Sequence, residues 1–198
     1  MARPRTISDQ NIITAAYELL MERGLDGLTF ETLSERVGIV PAALVRRFER
    51  KQKLIAQVDN YALALTNSKV AEALEKTASP VEAIIAQFTT ELAFATTLER
   101  FANGQEFLLM DLRSEELYNN YQASFEQRHQ QVVELLQIAE AAGELTGIND
   151  APRLARHLAL IAHGAGHVWA MAQEMSIEEY IRQHVMLALQ PYRLKVKK

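Results

Sequence analysis

The chain has 198 residues, 48% hydrophobic and 23% charged, with a formal net charge of −4. That composition belongs to an ordinary globular protein and excludes a disordered, collagenous or uniformly basic nucleic-acid-binding chain. The lack of cysteine excludes a disulfide framework, a thiolate metal site and a cysteine nucleophile, and fits a reducing cytoplasm. Polar Ser8, Asp9, Gln10 and Asn11 follow Met1–Arg5 where a secretory signal needs an apolar run. The apolar stretch from Leu158 to Ala172 carries His163 and His167 and is too short for a membrane span, so it reads as a buried helix and no membrane is expected as a partner.

Scarce Gly and Pro, with no period-two runs of β-branched residues, predict an all-α fold. The first helix runs from near Ser8 to Arg23, with Ile12, Ala16, Leu19 and Leu20 on one face and Gly24 as its stop. A second, of about two turns, opens at Thr29, repeats Phe30, Leu33 and Val37 at helical spacing and ends at Gly38. A third opens at Pro41 and turns Leu44 and Phe48 inward. Long helices follow from about Lys51. Their starts are marked by Ser79-Pro80-Val81-Glu82 and Ser176–Glu179, both read as capping boxes, by Ser114 with Glu115 and Glu116, and by Asn149-Asp150-Ala151-Pro152 after Gly147.

Charge is unevenly spread. Residues 1–55 carry nine basic and seven acidic side chains, net +2, which leaves residues 56–198 at −6. Arg46, Arg47, Arg50, Lys51 and Lys53 are offset only by Glu49, a net +4 in eight residues, and Arg3 and Arg5 add a basic arm. On charge alone this is a solvated face. Its place on and after a short helix, joined by a Gly-containing turn to another short helix, instead predicts a helix-turn-helix that lays the later helix in a major groove. Arg46 then reaches bases or phosphates, and Thr29 offers a hydroxyl and backbone N–H groups to a phosphate.

The run Leu28–Ile39, with Ala42–Phe48 and Lys51–Leu54, resembles the N-terminal domain of the tetracycline-repressor (TetR) family over residues 8–60. Gly24, Thr29, Gly38, Leu44, Phe48, Lys51 and Leu54 match its pattern. Three positions depart from it: Val45 replaces the usual Tyr, Arg47 the common His, and Val40 the small polar cap of the third helix. Val45 loses a phosphate-binding phenol and offers apolar contact to a thymine methyl. The resemblance implies a ligand-responsive transcriptional regulator, a repressor that binds a palindromic double-stranded DNA operator as a homodimer and is released by a small-molecule inducer. Residues 1–55 would form the DNA-binding domain and 56–198 the ligand-binding and dimerisation domain. DNA contacts are expected from Arg3, Arg5, Thr29, Val40, Pro41, Ala42, Ala43, Val45, Arg46, Arg47 and Lys51.

Near the C-terminus, Leu154, Leu158, Ile161, Ala165 and Trp169 form one apolar stripe, and Ile177, Ile181, Val185 and Leu189 another. Their partner is either the chain's own core or, as the resemblance favours, a second copy in a four-helix bundle helped by Gly164-Ala165-Gly166. The dimer interface is accordingly expected at Leu158, Ile161, Ala165, Trp169, Ile181, Val185 and Leu189. Phe88, Phe107, Met110, Tyr121, Phe125, His129 and His163 are candidates to line a ligand pocket, with core packing as the plain reading of each. His163 and His167 share a helical face but lack a third ligand, so no metal is expected. No cofactor is expected either, since a dinucleotide site, a P-loop and a nucleophile elbow are all missing from the sequence. A non-enzymatic regulator is therefore expected; the rival is a helical-bundle enzyme or carrier whose basic cluster is surface.

Overall fold

The structure is a computed structural model and describes residues 7–113 and 115–193. Their helices are α1 (Asp9–Gly27), α2 (Phe30–Val37), α3 (Pro41–Phe48), α4 (Lys51–Glu75), α5 (Pro80–Glu91), α6 (Leu98–Asp111), α7 (Glu115–Ala141), α8 (Ala151–Ala172) and α9 (Ile177–Leu189), followed by a 3-10 turn at Gln190–Tyr192. Arg3, Arg5 and Ser114 lie outside the described residues. The chain divides into two compact units. One runs through Leu65 and includes Glu99–Tyr121; the other comprises Thr66–Leu98 and the chain from Gln122. No described helix is long and apolar enough to cross a membrane.

In the first unit, Ser8 caps α1 by accepting from the Asn11 N–H at 3.2 Å. Gly24 breaks this helix at φ +68° and ψ −176°, a conformation that only glycine adopts without strain, and one further turn carries the chain to Gly27. Thr29 and Thr32 then form a reciprocal cap: each side-chain oxygen accepts from the other's backbone N–H, at 3.1 and 3.0 Å. Gly38, at φ +71°, closes α2 by donating its N–H to the Ser34 carbonyl at 2.9 Å. Pro41 opens α3, whose Leu44 and Phe48 are buried, as are Leu19 and Leu20 of α1 and Leu33 of α2.

The second unit is a packed set of helices in which α9 lies against both α5 and α8. Both expected capping boxes form only halfway. Ser79 accepts from the Glu82 N–H, but Glu82 pairs with Arg182, while Glu144 accepts from Ser79 Oγ at 2.6 Å and from the Val81 N–H of the first turn at 3.2 Å. Ser176 likewise accepts from the Glu179 N–H at 3.2 Å while Glu179 turns to Gln183. Helix α8 starts within the expected Asn149–Pro152 run, with Asp150 as its cap, accepting from the Arg153 N–H at 2.9 Å.

The apolar stripes of α8 and α9 are largely enclosed within the single chain. Leu158, Ala165, Trp169, Ile181, Val185 and Leu189 are all buried within the single chain, because the two helices close these faces against each other and against α5. Ile161 is half-buried. The apolar side chains left outward are Leu160, Val168 and Met171 on α8 and Leu187 on α9, 69%, 55%, 87% and 64% exposed. The three on α8, with exposed Gly164, recur at steps of three or four and share one face.

Candidate nucleic-acid interface and ligand cavity

Two short helices at a tight turn are held rigidly on α1. The Arg36 guanidinium of α2 makes a two-pronged pair with the Glu22 carboxylate of α1, and those bonds hold the Glu22 carboxyl below its usual range. Leu44 and Phe48 fix α3 by burial, so its opposite side stands in solvent. Val40, Pro41, Ala42, Val45 and Arg46 are exposed there, and Ala43 is half-buried.

The cationic cluster separates into two groups. Arg47 donates from Nη1 to the Ile7 carbonyl at 2.8 Å and to Asp9 Oδ1 at 3.2 Å, and Lys51 donates from Nζ to the Leu25 carbonyl. These two expected DNA contacts are thus engaged in tying α3 and α4 to the ends of α1. Lys53 pairs with Glu49 at 2.6 Å. Arg46 and Arg50 are exposed, and neither has an ion pair among the described residues. Thr29 is half-buried, its hydroxyl and N–H both occupied by Thr32.

Helix α6 belongs to this same unit. Arg100 pairs with Glu18 at 3.2 Å, Asn103 donates to the Met21 carbonyl at 2.9 Å, and the Leu25 N–H donates to Glu106 Oε2 at 3.4 Å. All three contacts flank the Gly24 break.

In the second unit, a polar cluster interrupts the core. Arg128 Nε lies 3.4 Å from Glu91 Oε1, and His163 Nε2 lies 3.8 Å from Glu91 Oε2. Gln87 donates to Glu91 at 3.3 Å and to the Arg128 carbonyl at 2.9 Å, while Arg128 Nη1 donates to Ser124 Oγ and Asn67 Oδ1. Burial pushes the Glu91 carboxyl up, against the pull of Arg128 and Gln87. Burial also holds His163 below the usual histidine range, with Arg128 and His167 acting in the same direction. Gln87 Oε1 is buried without a hydrogen-bond partner among the described residues.

Beside the cluster is a narrow cleft with only about 10 Å³ of free space, lined by Gln87, Phe88, Glu91, Phe125, Arg128, His129, Val132, Ala155 and Ala159. Of the residues expected around a ligand, Phe88, Phe125 and His129 meet at this cleft and His163 reaches its Glu91. Phe107, Met110 and Tyr121 belong to the first unit. Gln87, Glu91 and Arg128 were not among the sequence candidates. A signal for two of them exists: Glu91 falls seven residues after buried Ile84 and four after Gln87, so both polar groups are in phase with the inward face of α5.

The short capped helix, Gly turn and exposed α3 face on a packed first helix define a helix-turn-helix DNA-binding domain of a transcriptional regulator. Residues 12–58 match the family of bacterial regulatory proteins, tetR family. The match covers the N-terminal part of the chain alone. No curated protein matches it. Its fold is similar to a TetR transcriptional regulator from Chloroflexus aurantiacus (21% identity, TM-score 0.72, 94% of this chain and 96% of that one). It is also similar to the TetR family regulator PfmR from Thermus thermophilus (19%, 0.68, 94% and 99%). A third similar structure, from Saccharomonospora viridis, is described as a transcriptional regulator in complex with choline (15%, 0.79, 94% and 97%).

Proposed function

We propose that this regulator is a homodimeric repressor that binds a palindromic operator through α3 of each copy and is released by a small molecule held in the second unit. Residues 1–55 carry the DNA contacts and residues 56–198 carry inducer binding and dimerisation. The observation that supports DNA readout most directly is the outward face of α3, where Val40, Pro41, Ala42, Val45 and Arg46 stand exposed on a helix fixed from behind. Arg46 and Arg50 supply phosphate or base contacts from outside; Arg47 and Lys51 support the domain from within. Arg3 and Arg5 are assigned to adjacent phosphates on their charge alone.

Dimerisation is assigned to the faces of α8 and α9 that remain apolar and outward: Leu160, Val168 and Met171 with Leu187. A side chain placed on Gly164 would meet nothing within 4 Å inside the chain, which leaves room there for close approach of a second backbone. The inducer is assigned to the cleft beside Glu91, Gln87 and Arg128, with Phe88 and Phe125 moving aside to admit it. Because Arg128 already faces Glu91, the site suits a compact, mostly apolar molecule whose polar group donates to Gln87 Oε1 better than a bare cation such as choline.

The test is a fluorescence anisotropy titration of the full chain against duplexes from the DNA flanking its own gene, repeated over several salt concentrations. Sequence-specific binding that weakens in Arg46→Ala supports the reading. Equal, weak binding to every duplex would overturn it and favour a helical bundle whose basic cluster is only surface.

A further inference from the structure

We infer that the leading face of α3 reads the C5-methyl groups of thymines in the major groove. This rests on the DNA-binding reading above and names the chemistry by which that surface selects its site. Val40 and Val45 are 67% and 46% exposed, and Pro41 and Ala42 between them are exposed as well. None of these four side chains has a hydrogen-bond donor or acceptor. Val40 provides no side-chain cap to α3, and Pro41 has no N–H to offer.

A base edge in the major groove presents either polar groups or the thymine methyl. Pressed against Val or Ala, the N7, O6, N6 and N4 groups of the other bases lose water and gain no partner, which is costly. A thymine methyl on the same surface loses only water that both apolar groups release favourably. The polar side chains that would otherwise override this preference are held elsewhere: Arg47 on Ile7 and Asp9, Lys51 on Leu25. Only Arg46 stands among the exposed apolar residues, next to Val45. Together with Arg50 it gives the face the positive charge that fits duplex DNA as the occupant of this apolar surface rather than a protein or a lipid.

The experiment selects a preferred site from a randomised duplex library with the full chain, then replaces each thymine of one half-site by deoxyuridine, which deletes the methyl and leaves the pairing unchanged. Each contacted methyl should be worth about fourfold in affinity by anisotropy, the fold-change corresponding to one buried carbon group. Val45→Ala, a change on an exposed position, should abolish the deoxyuridine penalty at one thymine and leave the others. A selected half-site without thymines, deoxyuridine effects below about twofold, or an undiminished penalty in both Val45→Ala and Val40→Ala would overturn the inference while leaving specific DNA binding intact. A selection that converges on no sequence would overturn the DNA-binding reading and this inference with it.

Discussion

Arg47 donates to the carbonyl of Ile7 at 2.8 Å, so a guanidinium from the helix-turn-helix closes onto the chain just before α1. Its neighbour Arg46 has no such attachment among the described residues. The two arginines should therefore fail differently. Arg46→Ala should weaken operator binding and reduce the salt dependence by about one phosphate contact, a slope change of about 0.9, with an unchanged melting temperature. Arg47→Ala should cost about 1 kcal/mol of stability, as loss of a partly exposed charged hydrogen bond does, and weaken DNA binding only through that loss. Parallel anisotropy and thermal melts separate the two.

Gly24→Ala should destabilise the protein by about 1–3 kcal/mol, read by urea denaturation. An added Cβ is strained at φ +68° and would stand 3.1 Å from both Asn103 Oδ1 and Glu106 Oε2. Because those are the side chains by which α6 holds α1, the substitution disturbs backbone and attachment together.

The outward faces of α8 and α9 give an opposite pair of outcomes. Val168→Glu should convert a dimer to a monomer in analytical ultracentrifugation with the helical circular dichroism retained. Ile181→Ala, in a fully buried position, should lower stability by about 2–5 kcal/mol. If Val168→Glu leaves the sedimentation of a dimer unchanged, the assigned interface is wrong.

Within the polar cluster, Arg128→Met leaves the Glu91 carboxylate buried without its cation and should cost about 3–5 kcal/mol. Glu91→Gln removes the charge that burial already disfavours and should cost far less. Denaturant titrations of both single variants and the double variant measure the coupling.

His163 provides a pH readout of the same region. Its pKa in the folded chain is depressed, so the fold prefers the neutral ring. The stabilisation is present above the ordinary histidine pKa of about 6.5 and is lost as pH falls through the lower, folded value. Charge at His163 is opposed by Arg128 and by His167; Glu91, 3.8 Å away, is the acidic group facing it. Melting temperatures between about pH 7.5 and 5 should fall more steeply in the natural chain than in His163→Asn. Identical pH profiles would mean that the ring titrates as it does unfolded.

Much of the first unit was legible because its boundaries are set by local chemistry: Ser8, Thr29, Gly38 and Pro41 each act on backbone groups within a few residues of themselves. The break between α5 and α6 at residues 92–97 was not. Its sequence, Leu92-Ala93-Phe94-Ala95-Thr96-Thr97, contains neither Gly nor Pro. Similarly, the half-made caps at Ser79 and Ser176 depend on where Glu144 and Gln183 lie, which a four-residue motif does not specify. The α8 and α9 stripes were visible, but periodicity gives a face and not its partner. Leu158 and Leu160 are both leucines on one helix; only the folded chain tells that the first is enclosed and the second open. Arg46 and Arg47 pose the same problem in charge, adjacent in sequence and divided by whether a carbonyl is within reach.

The path of the chain imposes a last constraint. It leaves the first unit after Leu65, re-enters at Glu99 and leaves again after Tyr121. A fragment cut after the fourth helix would keep every residue that the family pattern recognises, yet would strip Glu18, the Met21 carbonyl and the Leu25 amide of their partners on α6. The module that would touch DNA is thus not a portable cassette. Grafting it onto another protein would require the later segment to travel with it, and a swap of effector portions between relatives should be joined after Tyr121, with the intervening stretch from Thr66 to Leu98 included.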